Sequence, residues 1–453
     1  MVLLAVFVAV LVVGGVATLV IVTKDDAANS PAAAAAASAD LPDLGHPTPV
    51  LAALSSDAPA PTPDALKAQL TPLLSSAALG TGVSAEVVDV ATGNSLFDQD
   101  GNAPSTPAST AKLLTSAAVL TTLDPAQTLE TKVVAGSSPG QVVLVGGGDP
   151  TLSRTAPSKT YPGAPTMADL ATQVLAAVPA GTPITSVVVD NSLYTGPLTA
   201  TGWGAGDAPS SYAAPVTATM VDGARVTPGS DARSGQPGID AGAALADALG
   251  APGAAISLGT APAGAKTLGT VHSASIARLV EQALSQSDNM LAEALARQVA
   301  IARHLPASFE GSAQGVLAAL KDAGVDTTGV QLNDGSGLSQ ADRLPVTLLT
   351  TLITDAADGT LPDAAPILSG LAVAGYDGTL ADRGDDDPQT APGAVRAKTG
   401  TLLGVNGLAG TVVTEDGRLL VFAILADAAT GSVAGAENAL DQVATALAEC
   451  GCR

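Results

Sequence analysis

The sequence predicts an α/β (α+β) fold in which one domain, with strands drawn from both ends of the chain, is split by an inserted, mainly β domain. Three observations carry this. Strand-like apolar runs stand near both ends, at 83–90 and at 407–413 followed by 418–426. Between them, 273–284 and 289–302 repeat apolar residues at three- and four-residue spacing, which predicts helices. The stretch from about 125 to 267 reads instead as short strands broken by Gly and Pro. At 453 residues the chain is long enough for two or three domains with cores of their own.

Residues 2–23 carry no charge, and the run 2–22 is apolar enough to span a bilayer. About 20 residues at a rise of ~1.5 Å cover the ~30 Å hydrocarbon layer. A basic n-region is missing and the run is long, so 1–23 reads as an uncleaved transmembrane anchor rather than a signal peptide. Lys24 is followed at once by Asp25 and Asp26, so charge does not orient it. Residues 24–63 are rich in Pro, Ala, Ser and Asp and read as a linker that cannot fold alone. As a flexible coil it would hold the folded part roughly 35 Å off the membrane.

Folded structure is expected from Asp64. The residues 66–74 have helical spacing, and 83–90 and 95–98 form strands joined by a turn at 91–94. A helix follows over 109–123, then strands at 131–135, 141–145 and 185–190. The helices at 273–284 and 289–302 come next, and the chain closes on a hairpin turning at 415–417 and a helix over 434–448. The domains are therefore read as 64–124 with 268–453, and an insert at 125–267.

Composition excludes some functions. The formal charge is -23, from 42 acidic and 19 basic residues, with no Lys/Arg cluster to displace counterions from phosphate, so no nucleic-acid partner is expected. The only cysteines are Cys450 and Cys452, and His46, His272 and His304 are scattered, so neither a metal nor a cofactor is expected. A short Cys450–Cys452 disulfide fits an oxidising compartment.

Three short motifs stand in order: Ser109-Thr110-Ala111-Lys112, Ser287-Asp288-Asn289 and Lys398-Thr399-Gly400-Thr401. Residues i and i+3 share a helix face, so Lys112 can reach the Ser109 hydroxyl. Serine is a poor nucleophile without a base beside it. A buried lysine flanked by other cations loses its proton readily enough to be that base. Repulsion between Lys112 and Lys398 is expected to neutralise Lys112 and leave Lys398 charged.

S-x-x-K, S-D-N and K-T-G in this order mark penicillin-recognising serine enzymes. With Val143-Leu-Val-Gly-Gly-Gly-Asp149-Pro-Thr-Leu, Val189-Asp-Asn191-Ser, Gly202-Trp203 and Asp334-Gly-Ser-Gly-Leu-Ser339, the chain resembles the D-alanyl-D-alanine carboxypeptidase/endopeptidase family, the class C low-molecular-mass penicillin-binding proteins. The resemblance covers about 64–426. It implies a transpeptidase/β-lactamase-like domain carrying the insert, a serine D,D-peptidase activity on peptidoglycan stem peptides, and β-lactams as covalent inhibitors. It implies that Ser109 forms an acyl-enzyme, with Lys112 as its base, Ser287 and Lys398 passing a proton to the leaving amine, and Asn289 holding the substrate amide. The same resemblance gives Thr399 and Thr401 to the substrate carboxylate, counts Gly400 among the substrate-binding residues, and gives the backbone N–H groups of Ser109 and Thr401 to the oxyanion. Asp207 and Tyr212 match positions that hold a diaminopimelate-type side chain. This chemistry places the catalytic part outside the cell, tethered to the cytoplasmic membrane by the N-terminal helix.

Two departures stand out. Gln340 occupies the place where relatives commonly carry an arginine, with Arg343 nearby, and only a short segment, about 225–238, remains where many relatives carry a third domain. The rival readings are a β-lactamase-like hydrolase, which would need a positioned glutamate, and a catalytically weak penicillin-binding envelope protein. Gly136-Ser-Ser-Pro-Gly140 matches the G-x-S-x-G elbow, but Pro139 and a strand-like run follow it where a helix is required.

Overall fold

The strand-forming runs from the two ends of the chain pair with one another. In the computed structural model, which describes residues 57–383 and 391–451, β1 (Val83–Asp89) lies antiparallel to β11 (Leu419–Ala426), with Val83 opposite Ala426 and Asp89 opposite Leu420. The first sheet also takes in β2 (Ser95–Gln99), β8 (Ala372–Val373), β9 (Val395–Leu402) and β10 (Val405–Val413), in the order β2-β1-β11-β10-β9-β8.

Period-two alternation explains why this sheet is buried on both sides. On β11, Val421, Ala423 and Leu425 face one helical layer, while Leu420, Phe422, Ile424 and Ala426 face another. The second layer pairs α1 (Pro63–Leu74), through Leu66, Leu70 and Leu74, with α10 (Val433–Ala448), through Leu440 and Leu447. α1 starts at Pro63 behind its N-cap Thr62, a position where proline loses no helical hydrogen bond.

The first layer gathers α2 (Lys112–Thr122), α5 (Ile276–Ser285), α6 (Asn289–Ala302), α7 (Phe309–Asp322) and α8 (Val346–Asp358), with the short α9 (Pro366–Gly370) beside them. Aromatic residues are only 2% of the chain. The shared core is accordingly aliphatic, with Leu114, Leu279, Leu291 and Leu349 fully buried.

A second sheet, ordered β6-β5-β4-β3-β7, forms from β3 (Thr128–Ala135), β4 (Gln141–Val145), β5 (Ser186–Asp190), β6 (Ala255–Leu258) and β7 (Thr267–Ser275). β4, β5 and β6 run parallel. Parallel neighbours need crossovers, and two helices absent from the sequence expectation supply them: α3 (Met167–Ala177) and α4 (Pro237–Ala248). The region expected to be mainly β is thus itself layered α/β. The G-x-S-x-G match is the β3–β4 hairpin turn, with Gln141 N donating to Ser138 O.

One expected element shifts. Residues 273–275, expected at the start of a helix, instead complete β7, whose pairing with β3 extends to Ser275 opposite Thr128. Ser275 then caps α5 by accepting from Arg278 N. The second sheet therefore runs eight residues past the boundary expected at 267. Both sheets lie within one compact unit, Leu54–Arg453. Among the described residues no helix is long and apolar enough to cross a membrane. The expected anchor, and the linker up to residue 56, lie outside them. Cys450 is buried and disulfide-bonded; Cys452 lies outside the described residues.

Candidate active site

Ser109 sits in a tight turn, Ala108–Ala111, that leads into α2. Ala108 before it has φ 46°, a left-handed conformation rare for residues with a Cβ. Two glycines close in on this turn. A Cβ on Gly337 would fall 1.9 Å from Ala108 O, and one on Gly400 would fall 2.9 Å from Pro107 O. The Asp334–Ser339 loop and β9 can approach the serine this closely only because both positions lack a side chain.

Lys112 is fully buried, one turn after Ser109. Its Nζ lies 2.9 Å from Ser109 Oγ, 2.5 Å from Asn289 Oδ1 and 2.7 Å from Ser336 O. The Ser336 carbonyl is aimed by Asp334, whose Oδ1 accepts from the amides of Ser336 at 3.1 Å and Gly337 at 2.7 Å. Asp334 Oδ2 accepts from Ser339 N at 2.8 Å and Trp203 Nε1 at 2.7 Å.

The Ser287–Asn289 turn enters from the far side. Ser287 has φ 52°, and Asp288 caps α6 through the amides of Met290 and Leu291 at 2.9 and 3.1 Å. Asn289, first residue of α6, gives its amide N–H to Tyr212 O at 3.2 Å, which leaves its oxygen for Lys112. Lys398, fully buried on β9, donates to Ser287 Oγ at 2.9 Å and Thr399 O at 2.8 Å. Residues 398–402 pair with β10 on one side, while β8 reaches only Arg396 and Ala397 on the other. Thr399 Oγ1 meets Thr379 Oγ1 at 2.9 Å, and Thr401 Oγ1 donates to Glu437 at 3.3 Å.

Burial sets the charges. It lowers the Lys112 pKa to about 8, against the carboxylates of Asp334, Glu293 and Asp288, which pull it back up; Arg233 adds to the lowering. Lys398 falls well below the usual lysine range, through burial first and then the cations Lys112 and Arg383. Both amines are therefore pushed toward the neutral form, and carboxylates oppose that push at Lys112 but not at Lys398. Burial, reinforced by Asp334, raises the Glu293 pKa to about 7. At Asp288 burial opposes ionisation, but Arg233, Arg225, Tyr161 and the Leu291 amide outweigh it and bring the pKa down to about 2.

A serine, two lysines and an amide converging in this way suit acyl transfer. The family model of the D-Ala-D-Ala carboxypeptidase 3 (S13) family matches residues 66–238 and 227–449. The chain belongs to this family.

Relatives in the family cover most of the chain. It is 38% identical over 427 residues to a carboxypeptidase of Mycobacterium tuberculosis, covering 88% of this chain and 91% of that one. It is 40% identical over 415 residues to carboxypeptidase DacB of Mycolicibacterium smegmatis, covering 89% and 88%. Among solved structures, penicillin binding protein 4 of Haemophilus influenzae superposes with a TM-score of 0.66 at 21% identity, covering 83% of this chain and 97% of that one. The same protein complexed with a β-lactam gives a TM-score of 0.63 at 19% identity, with the same coverage. These two likenesses speak for the fold.

The three motifs of this family member thus meet at one place. Tyr212 reaches it by its backbone carbonyl, while the residue as a whole is 64% exposed. Asp207 accepts from Gly204 N at 2.6 Å within its own loop. Arg343, near Gln340, donates to the carbonyls of Gln340 and Asp342 at 2.8 and 2.7 Å. Sequence reasoning passed over Ser336, Asp334 and Glu293 as parts of the site; the quoted Asp334–Ser339 motif was the available signal for the first two. Among the described residues no group of three or more His, Cys, Asp or Glu side chains is placed to hold a metal ion.

Proposed function

We infer that the protein is a serine-type D-Ala-D-Ala carboxypeptidase that releases the terminal D-alanine of peptidoglycan stem peptides through an acyl-enzyme on Ser109. The observation that carries this reading is Lys112 Nζ at 2.9 Å from Ser109 Oγ, with Lys398 and Ser287 joined at the same distance opposite it. Family membership and the two carboxypeptidase relatives support the reaction class.

In the proposed reaction the Ser109 oxygen attacks the carbonyl of the penultimate D-alanine and its proton passes to a neutral Lys112. Near a pKa of about 8 a useful fraction of that amine is free at neutral pH. The N–H groups of Ser109 and Thr401 receive the oxyanion, typically the largest electrostatic contribution to such steps. The C–N bond then breaks, and the leaving nitrogen takes a proton through Ser287 and Lys398. A water then attacks the ester carbonyl and its proton replaces the one that left through Ser287 and Lys398, while the Ser109 C–O bond breaks and Lys112 returns its proton to Ser109.

The substrate lies along residues 398–402 of β9 as an added strand, with its terminal carboxylate at Lys398, Thr399, Gly400 and Thr401. Asn289 holds the stem-peptide amide, and Asp207 and Tyr212 meet the side chain beyond it. A β-lactam enters the same way and stops at the acyl-enzyme, as befits a relative in fold of a protein solved with one. Cleavage of cross-links is the same chemistry with a longer leaving group. The split catalytic domain is held by the anchor at 1–23 and the linker to 63, and works in the cell envelope outside the cytoplasmic membrane.

Ser109→Ala tests the reading. The variant should keep its thermal midpoint but take no covalent label from a fluorescent penicillin and release no D-alanine. Labelling that persists in the variant sinks the assignment.

A further inference from the structure

Behind the Ser287–Asn289 turn lies a buried ionic cluster that the acylation chemistry does not use. The cap on α6 needs only Asp288 Oδ1, which accepts both amides. Asp288 Oδ2 instead faces the Tyr161 hydroxyl at 2.7 Å and the guanidiniums of Arg225 and Arg233, each at 3.6 Å. Burying such ions carries a desolvation cost that their attraction seldom exceeds, so the arrangement is better read as geometry than as net stability.

The two arginines come from the short segment after β5. Asp222, Gly223 and Ala224 all have positive φ, at 51°, 62° and 65°. Asp222 is fully buried and fixed by Ser153 Oγ at 2.9 Å and Arg154 N at 3.3 Å. Arg225 and Arg233 form an antiparallel bridge. Arg233 then donates to Gly223 O and, through Nε at 3.4 Å, to Ser211 O. Its backbone N–H reaches Ser210 O at 3.0 Å. The residue after Ser211 is Tyr212, whose carbonyl fixes the Asn289 amide. A closed ring results: Arg233, the 210–212 loop, Asn289, Asp288, and Arg233 again.

We propose that Arg233 is a positioning residue for acylation, whose guanidinium locks the Ser287–Asn289 turn to the Tyr212 loop and so aims Asn289 at Lys112 and Ser287 at Lys398. The inference rests on the acylation of Ser109 proposed above. The planar fork is what the ring requires, because it meets a carboxylate and two carbonyls at fixed angles, which a lysine ammonium cannot do.

The test compares Arg233→Gln and Arg233→Lys with the unaltered full-length chain. Acylation by a fluorescent penicillin is followed from about pH 6 to 10, around lysine's lowered range, per mole of labelled protein at a temperature where each variant is folded. The charges facing Lys112 are Asp288, Asp334, Glu293 and Arg233, with Lys398 across the site. Removing Arg233 takes away a cation and unmasks Asp288, so the acid limb of the glutamine variant should move to higher pH. Its plateau should fall about ten- to hundredfold, the scale of a misplacement near 1 Å. The lysine variant should keep the limb in place and still lose plateau.

Arg154→Ala loosens the same segment without touching Asp288 and should show neither change. A wild-type plateau in Arg233→Lys, an unmoved limb in Arg233→Gln, or an equal loss in Arg154→Ala overturns the proposal. Should the glutamine variant fail to fold, the lysine plateau decides. Failure of the unaltered chain to acylate at Ser109 would instead sink the parent reading.

Discussion

Lys398 Nζ holds the Ser287 hydroxyl at 2.9 Å, and the two charges that act on that amine, Lys112 and Arg383, are both positive. With burial added, all three influences push the Lys398 amine toward its neutral form. A substrate carboxylate arriving at Thr399 and Thr401 would supply the missing anion and call the proton back.

Binding of a D-Ala-D-Ala peptide with a free carboxylate should therefore take up a proton. Calorimetric enthalpies in buffers of different ionisation enthalpy should differ for that ligand. They should agree for its C-terminal amide. Above the lowered pKa of Lys398, affinity should weaken by at most about tenfold per pH unit, the limit for one proton. Equal buffer dependence for both ligands would count against the charge assignment.

Gly337→Ala should strike stability and acylation together. The backbone at Gly337 has φ +77°, and a Cβ would fall 1.9 Å from Ala108 O. Strain of this kind costs about 1–3 kcal/mol, read as a lower urea midpoint with an unchanged slope. The displaced loop also draws the Ser336 carbonyl away from Lys112, so acylation should slow. A variant with wild-type midpoint and rate would show that the loop has room to spare.

Much of the first sheet and of the catalytic frame was legible in the sequence, and the reasons are local. The unbroken apolar run at residues 419–426 announces a strand buried on both faces, and Asp288 before an apolar period announces the start of α6. Ser109 and Lys112 share a face by spacing alone. What escaped notice depends on distant partners. α3 and α4 are rich in alanine, so their apolar stripes are faint; their role follows from parallel strands that only the fold reveals. The Ser336 contact with Lys112 is made by a carbonyl, which any residue supplies. The relative charge of Lys112 and Lys398 turns on Asp334 and Glu293, remote from Lys112 in sequence.

Lys112→Arg should slow acylation by about a hundred- to ten-thousandfold, the usual worth of a positioned general base. Arginine cannot give up its proton. Acylation of the unaltered chain should rise with pH through an apparent pKa near the value of about 8 that burial gives Lys112. The arginine variant should lack that limb. Stopped-flow acylation across the range decides it, and an arginine variant that keeps both rate and limb would assign the base elsewhere.

Asp342 supplies a prediction about stability. It is fully buried; its Oδ1 accepts from Asn333 N at 2.7 Å and Asn333 Nδ2 at 3.1 Å, and its Oδ2 faces no donor. Burial and the neighbouring Asp334 carboxylate raise its pKa, and the protonated form donates to Asp334, the residue that shapes the loop against Lys112. The folded value thus lies above the unfolded one, near 3.8. As pH rises past that unfolded value, the folded state keeps a proton that the unfolded state has released. Stability must then fall with pH, by up to about 1.4 kcal/mol per unit for this one group. Asn is close to isosteric, accepts from Asn333 and donates to Asp334 without titrating. Asp342→Asn should therefore flatten the decline of stability between weakly acidic and alkaline pH, and gain most at the alkaline end. Glu293 and Asp149, raised to about 7 and about 6 by burial, add slope of the same sign in both proteins. The difference between the two urea-unfolding profiles isolates Asp342, and parallel profiles would mean that its carboxyl ionises as readily folded as unfolded.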